Sequence, residues 1–299
     1  MSGLRTNWAG VFTAVVTPFT GDNFDEKLFR KHLLTLLGDG VDGLVVTGST
    51  GEWYTLSDKE RIRAWEIAQE VAGEKVPVIA GTSAVGTSKA VELTRTAKNL
   101  GLAGSMILPP GGCFAAPHEV VRFFHTVATV DHPLMVYNNT PRTGVLLDAK
   151  SMKKIAEAGS VVAFKDSSRD LYAASETIYE IAHELAVFTG LEPYFGAVFN
   201  RGAVGTVSML SNLSPVMVQY YRALVSNDLA TAKRCELRVD QFYHQMATVG
   251  APGLVFLKEA MKLAGRFGGD VRLPHLPADK GTSDLIDKGL QKVGILSAR

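Results

Sequence analysis

Lys165 closes the apolar run Val161-Val162-Ala163-Phe164. The other lysines fall on predicted helices, in loops or, for Lys75, ahead of a strand. A lysine at the end of a buried strand, over an apolar wall, is partly stripped of water, and this disfavours the ammonium. The neutral amine attacks a carbonyl carbon and forms a Schiff base. A strand-end ion pair with Asp166 or another acid is the competing assignment for this residue. Tyr137 closes the preceding apolar run, Leu134-Met135-Val136. A phenol at that place would carry protons between Lys165, the carbonyl oxygen and the substrate; a packed aromatic with a satisfied hydroxyl is its alternative. Gly48-Ser49-Thr50-Gly51-Glu52 follows another apolar run. Its glycines permit a tight turn, so backbone N–H groups and two hydroxyls face one anion, a carboxylate or a phosphate. Arg142, in Thr140-Pro141-Arg142-Thr143-Gly144, lies just past Tyr137. A guanidinium there grips a second carboxylate bidentately, unless it is an ordinary surface-loop arginine.

Other chemistries lack their signatures. The seven histidines, at 32, 118, 125, 132, 183, 244 and 275, show no HExxH spacing, so a metal-dependent aldolase is disfavoured. GxxxxGK[ST] and GxGxxG are absent, which removes the P-loop and dinucleotide readings. A pyridoxal-phosphate barrel using Lys165 needs a phosphate cup in its last two loops. Gly190-Leu191-Glu192 and Ser208-Met209-Leu210 offer little for one, and Glu192 would repel the phosphate.

The elements that must position these groups follow from the pattern. Eight short apolar runs, at 11–17, 43–47, 76–81, 104–108, 133–138, 161–165, 186–190 and 202–209, are continuous rather than alternating. Such runs suit strands covered on both faces. Amphipathic stretches separate them: 25–37 places Leu28, His32, Leu33 and Leu36 on one face, and Ser57-Asp58-Lys59-Glu60 forms a capping box. Pro117, Asp148, Asp170 and Pro193 open the later helices. Eight strands alternating with helices predict a (β/α)8 TIM barrel over residues 1–210 that carries the active site. Residues 211–299 then form a helical C-terminal extension packed on the barrel, with a last helix near 283–293.

The chain has 299 residues, 46% hydrophobic, enough to bury a core of that size. With 31 basic and 30 acidic residues its net charge is +1, which offers no footprint for nucleic acid or an anionic membrane. No apolar run reaches the ~18 residues a membrane span needs. Cys113 and Cys235 form no disulfide framework, and Met1–Trp8 lacks a leader pattern, so a cytoplasmic setting is expected.

The segments Gly43–Arg61 (GLVVTGSTGEWYTLSDKER), Val136–Val145 (VYNNTPRTGV) and Val161–Ser168 (VVAFKDSS) resemble the dihydrodipicolinate synthase / N-acetylneuraminate lyase family. The likeness runs from Gly10 to about Pro277, and Lys165 stands 28 residues after Tyr137, as in the family pattern. The resemblance implies a class I, Schiff-base lyase that takes pyruvate or another 2-keto acid and needs no metal or organic cofactor. Lys165 forms the imine, Ser49 and Thr50 bind the keto-acid carboxylate, and Thr50 passes protons to Tyr137. Arg142 holds the second substrate's carboxylate, and Gly190 and Val207 match backbone positions near the bound keto acid. A homotetramer, a dimer of dimers, is implied as well. The activities open to it are 4-hydroxy-tetrahydrodipicolinate synthase (pyruvate plus aspartate semialdehyde), and a catabolic set. That set is 2-keto-3-deoxy sugar acid aldolase or dehydratase, 4-hydroxy-2-ketoglutarate-type aldolase, and hydroxy-pyrroline-carboxylate deaminase. A barrel that only binds a keto acid is the non-enzymatic alternative. Two departures stand out. Gly111 occupies the place of a relay tyrosine that the family often contributes across a subunit interface. Trp53, Tyr54, Val85, Lys89 and Pro110 replace the family's lysine-inhibitor site, with Lys89 expected to repel a cationic amino acid.

Overall fold

Strands that are apolar on both faces require cover on both sides, and a closed parallel barrel ringed by helices supplies it without leaving an edge. The computed structural model, which describes residues 6–113 and 115–295, has this arrangement. The barrel strands are β1 (Gly10–Ala14), β2 (Gly43–Val46), β3 (Val78–Gly81), β4 (Gly104–Ile107), β5 (Leu134–Asn138), β6 (Val161–Asp166), β7 (Ala186–Thr189) and β8 (Gly205–Ser208). All pair in parallel with their chain neighbours, and β8 closes on β1. Every strand residue except Ala186 is buried. Inside the barrel, Phe12, Val45, Ile79, Met106, Met135 and Phe188 interlock into one apolar plug below the site.

Between the strands lie α1 (Glu26–Gly38), α2 (Asp58–Ala72), α3 (Thr87–Asn99), α4 (Pro117–Ala128), α5 (Ala149–Ala156), α6 (Leu171–Ile181) and the short α7 (Phe195–Phe199). Their starts follow local chemistry. Ser57 and Glu60 exchange hydrogen bonds in a capping box at α2, and Asp170 accepts from Tyr172 and Ala173 N–H at α6. On α1 the buried face is Phe29, His32, Leu33 and Leu36. Phe29 takes the place expected of Leu28 because it packs edge-on against Phe24 of a small hairpin over residues 19–24.

After β8 come α8 (Val216–Val225), α9 (Leu229–Val249), α10 (Gly253–Leu263) and α11 (Lys280–Lys292). The last begins three residues earlier than the sequence pattern suggests, because the Asp279 carboxylate caps the Thr282 N–H at 2.7 Å. Met217, Tyr220, Phe242, Phe256 and Leu290 from these helices join Val11, Leu33, Leu44 and Trp65 in one apolar cluster. The helices therefore cover the barrel wall around β1 and β2. Among the described residues, no helix is long and apolar enough to cross a membrane.

Candidate active site

In a (β/α)8 barrel the loops after the strands form the working face. A cavity of about 280 Å³ opens there. Ser49, Thr50, Tyr137, Arg142, Lys165, Gly190 and Val207, the seven residues singled out from the sequence, all line it.

Register explains the central pair. Tyr137 on β5 and Lys165 on β6 are direct partners in the ladder, and Phe188 on β7 is the next in the same row. Alternation along a strand sends Lys165 inward and Asp166 outward. Lys165 is 5% exposed, and its Nζ lies 4.0 Å from the centre of the Tyr137 ring, within cation–π range. Among the described residues it forms no ion pair. Asp166, the competing partner, is occupied on the other face: Asn138 donates to one oxygen at 2.8 Å, and the Ser168 hydroxyl to the other at 3.0 Å. The strand-end ion pair is thereby excluded.

Tyr137 is set for proton traffic. Burial pushes its phenol up, but the Lys165 charge and the Asn139 amide, which donates to the hydroxyl at 2.7 Å, outweigh burial and leave it below the ordinary tyrosine value. Asn139 was not singled out from the sequence; its place two residues after Tyr137 is the only local signal. No hydrogen bond joins the Thr50 and Tyr137 hydroxyls, although both line the cavity.

The loop after β2 is held from three directions. The Trp65 indole donates to the Thr47 hydroxyl at 2.7 Å, the Thr17 hydroxyl donates to the Gly51 carbonyl at 2.7 Å, and Lys258 of α10 forms a buried ion pair with Glu52. Lys258 also donates to the carbonyls of Thr17 and Asp270 at 2.8 and 2.6 Å, so the C-terminal helices help shape this loop. Gly51 is required: a Cβ there would lie 2.8 Å from the Val15 carbonyl oxygen and 3.0 Å from Thr47 Cα. The result is a turn whose Ser49 and Thr50 N–H groups meet no protein acceptor among the described residues. The Ser49 hydroxyl is buried without a partner, while that of Ser167 stands close enough to the Tyr137 phenol to help hold it below the ordinary tyrosine value. Buried polar atoms are nearly always paired in folded proteins. Unpaired donors that converge on a cavity mark a place for an anionic ligand.

Arg142 sits on the helical turn Thr140–Thr143, which opens with Arg142 and Thr143 N–H donating to the Asn139 carbonyl. Arg142 lines both the main cavity and a neighbouring pocket of about 240 Å³. That pocket is lined by Trp53, Tyr54, Val85 and Gly111 among others; a Cβ on Gly111, the glycine in place of the relay tyrosine, would lie 3.3 Å from Thr143 Cα. Lys89, expected to repel cations there, is neutralised by ion pairs with Asp58 and Glu92. Arg169, a further cavity residue that the sequence reading passed over, lies in the loop after β6 with φ +68°.

Glu192 turns inward rather than toward the mouth. Its carboxylate accepts from the Ser208 hydroxyl and from Met209 and Leu210 N–H, at 2.9, 2.7 and 3.1 Å, and from the Tyr243 hydroxyl. These N–H groups are of the kind on which a barrel of this type seats a phosphate, and here Glu192 takes them. Among the described residues, no three His, Cys, Asp or Glu side chains gather as a metal site.

The chain matches known proteins along nearly its whole length. Residues 7–293 match the model of the dihydrodipicolinate synthetase family. The uncharacterized DapA-like lyase of Rhizobium meliloti is 53% identical over 296 residues, which cover 98% of this chain and 99% of that protein. The 4-hydroxy-tetrahydrodipicolinate synthase of Thermomicrobium roseum is 34% identical over 272 residues, 90% of this chain and 89% of its own. Among solved structures, YagE of E. coli K12, a prophage protein of this family in complex with pyruvate, superimposes with a TM-score of 0.93 at 26% identity, covering 97% of this chain and 100% of its own. The chain belongs to the dihydrodipicolinate synthetase family and is an enzyme, a lyase.

Proposed function

We propose that the enzyme acts on pyruvate or a related 2-keto acid through an imine at Lys165. The observation that carries this reading is the position of Lys165: buried, free of any ion pair among the described residues, and over the Tyr137 ring in a cavity with no carboxylate in its lining. The amine nitrogen adds to the ketone carbon. The former carbonyl oxygen, protonated by way of Tyr137, leaves as water, and the nitrogen remains as a protonated imine. Ser49 and Thr50 receive the keto-acid carboxylate on their free N–H groups and the Ser49 hydroxyl. The imine draws electrons from the neighbouring carbon. That carbon loses a proton or a carbon substituent to give the enamine, which then adds to an electrophile, takes a proton or expels a β-leaving group. The protonated imine formed on Lys165 is the electron sink, so the route requires neither metal nor organic cofactor.

The test is incubation with pyruvate and borohydride. Wild-type protein gains the mass of a reduced pyruvate adduct on Lys165, and Lys165→Ala gains none. Trapping at another residue, or full turnover by the Ala variant, overturns the reading. A barrel that only binds keto acids is separated by turnover with pyruvate plus aldehydes.

Two assignments of the reacting partner have support. Arg142 at the cavity rim, and relatives named 4-hydroxy-tetrahydrodipicolinate synthase, favour condensation of pyruvate with aspartate semialdehyde. Gly111, which leaves the adjoining pocket open, favours a catabolic activity on a longer 2-keto acid, by retro-aldol cleavage, dehydration or deamination. A panel of both substrate types decides between them. We also infer a homotetramer working in the cytoplasm. Family resemblance supports the tetramer, as do Tyr172 and Tyr179, exposed on one face of α6; light scattering tests it.

A further inference from the structure

We propose that Glu192 and Tyr243 are positioning residues for the imine-forming lysine: Glu192 ties the loops after β7 and β8 to one another, and Tyr243 of α9 fixes Glu192 from the C-terminal extension. This rests on the imine reading above and adds to it two residues that stand behind the cavity wall. Gly190, Leu191 and Met209 belong to the lining. Glu192 follows Leu191 directly, and its carboxylate accepts from the Met209 N–H at 2.7 Å. One carboxylate therefore sits where the two loops meet.

Hydrogen bonds carry this junction across three strands. One Glu192 oxygen accepts from the Ser208 hydroxyl and from Met209 and Leu210 N–H, and the other accepts from the Tyr243 hydroxyl. The Ser208 hydroxyl accepts in turn from the Ser211 N–H at 3.0 Å, and the Ser211 hydroxyl donates to that of Thr13 on β1 at 3.0 Å. Between Glu192 and β7 the chain has no slack. The Leu191 N–H donates to the Thr189 hydroxyl at 3.0 Å, and the Gly190 N–H donates to the Asp166 carbonyl at 2.6 Å. A shift of Glu192 is thus passed through Leu191 to Gly190, whose backbone lies against Lys165 and Ser167.

Burial points the same way. Glu192 is 1% exposed and has no cationic partner among the described residues, whereas the equally buried Glu52 pairs with Lys258. Burying a carboxylate without a counter-ion is unfavourable, and an apolar side chain would fill the space without that penalty. What the carboxylate adds is the four donors it joins. Tyr243 supplies one of them permanently. Burial and the adjacent Glu192 push its phenol well above the ordinary value, and Tyr137 stands near enough to add to that rise. Tyr137 itself is held below the ordinary value. Opposite environments separate the duties of the two phenols: Tyr137 exchanges its proton, and Tyr243 keeps its own and holds Glu192.

The experiment follows the borohydride-trapped pyruvate adduct on Lys165 by mass spectrometry, under conditions where imine formation limits the rate. Wild type, Tyr243→Phe, Glu192→Gln and Glu192→Ala are compared, each well below its melting temperature. Tyr243→Phe keeps the ring and removes only the hydroxyl. Its trapping should slow about tenfold, the scale of one hydrogen bond lost from a charged group. Glu192→Ala releases all four donors, and trapping should slow about a hundredfold, as for a misplaced reacting group. Glu192→Gln keeps an acceptor for the loop donors and should lose less. The Ala variant lacks an acetate's worth of atoms, so added acetate should restore its trapping rate while the same concentration of chloride should not. A merely structural role would lower the melting temperature and leave the trapping rate of the folded protein at the wild-type value. Should Glu192→Ala fail to fold, Tyr243→Phe decides alone. Trapping within about twofold of wild type in Tyr243→Phe, or a slow Glu192→Ala that acetate leaves slow, overturns the positioning role while the wild-type adduct keeps the imine reading. No adduct in wild type overturns both.

Discussion

Gly190 presses against Lys165: a Cβ on the glycine would lie 2.5 Å from Lys165 Cε and 2.1 Å from the Ser167 hydroxyl oxygen. Lysine reach, phenol ring and glycine backbone thus confine one amine from three sides, and each is open to substitution.

Gly190→Ala should displace the Lys165 side chain. Because the neighbouring atoms belong to the reacting lysine, the expected result is a loss of kcat/KM of about a hundredfold, the scale of a 1 Å misplacement of a reacting group. Circular dichroism should show the fold intact. Activity within twofold of wild type would show that Lys165 has another path to the substrate.

Tyr137→Phe should lower kcat by about 10²–10⁴, the usual worth of a positioned acid or base. The pH profile gives a finer check. Burial raises the phenol, whereas Lys165 and Asn139 lower it further, so it ionises at lower pH than free tyrosine. The alkaline limb of the profile should therefore fall below the ordinary value of 10.0. In Asn139→Ala, which removes the donor to the phenol, that limb should move to higher pH.

Breaking the Glu52–Lys258 pair should unsettle both stability and carboxylate binding. Lys258→Met strands the Glu52 carboxylate where both partners are buried. Loss of one partner from a buried pair costs about 3–5 kcal/mol. Urea unfolding should show that loss, and KM for pyruvate should rise because the Ser49–Thr50 turn loses an anchor. Replacing both residues by apolar ones should recover most of the stability, though not the KM.

Acid should destabilise the fold through His32. Burial lowers its imidazole from 6.5 to about 4, only partly opposed by its hydrogen bond to Asn212. Since the folded value lies below the unfolded one, the full contribution is present above pH 6.5 and is lost as pH falls toward 4. Its ceiling is about 3 kcal/mol. His132, lowered to about 4 mainly by burial, adds in the same direction. His32→Gln should flatten the loss of stability in this window in chemical denaturation series.

Lysine should give no binding heat by calorimetry. The pocket of about 240 Å³ beside the active site has no acidic residue in its lining and contains Arg142. The obstacle is this absence of a counter-charge, rather than repulsion by Lys89, whose ammonium is held by Asp58 and Glu92. A clear saturating isotherm would refute it.

The barrel was legible because its signal is local: continuous apolar runs ending in Lys165, Tyr137 and the Gly48–Glu52 turn mark strands and their working ends together. The partners that tune those residues were not, because they depend on contacts distant in sequence. Lys258 meets Glu52 only after α10 folds back over β1 and β2. The inward turn of Glu192 depends on Tyr243 of α9. Asn139 lay within a segment read for other residues and Arg169 between two such segments, and what sets them apart is a hydrogen bond and a backbone angle that composition does not encode.

The buried Glu192 carboxylate also bears on which anions this end of the barrel can hold. It occupies the Met209 and Leu210 amides, the kind of donors on which a barrel of this type seats a phosphate. A phosphorylated sugar that reached this face would find those two amides already taken.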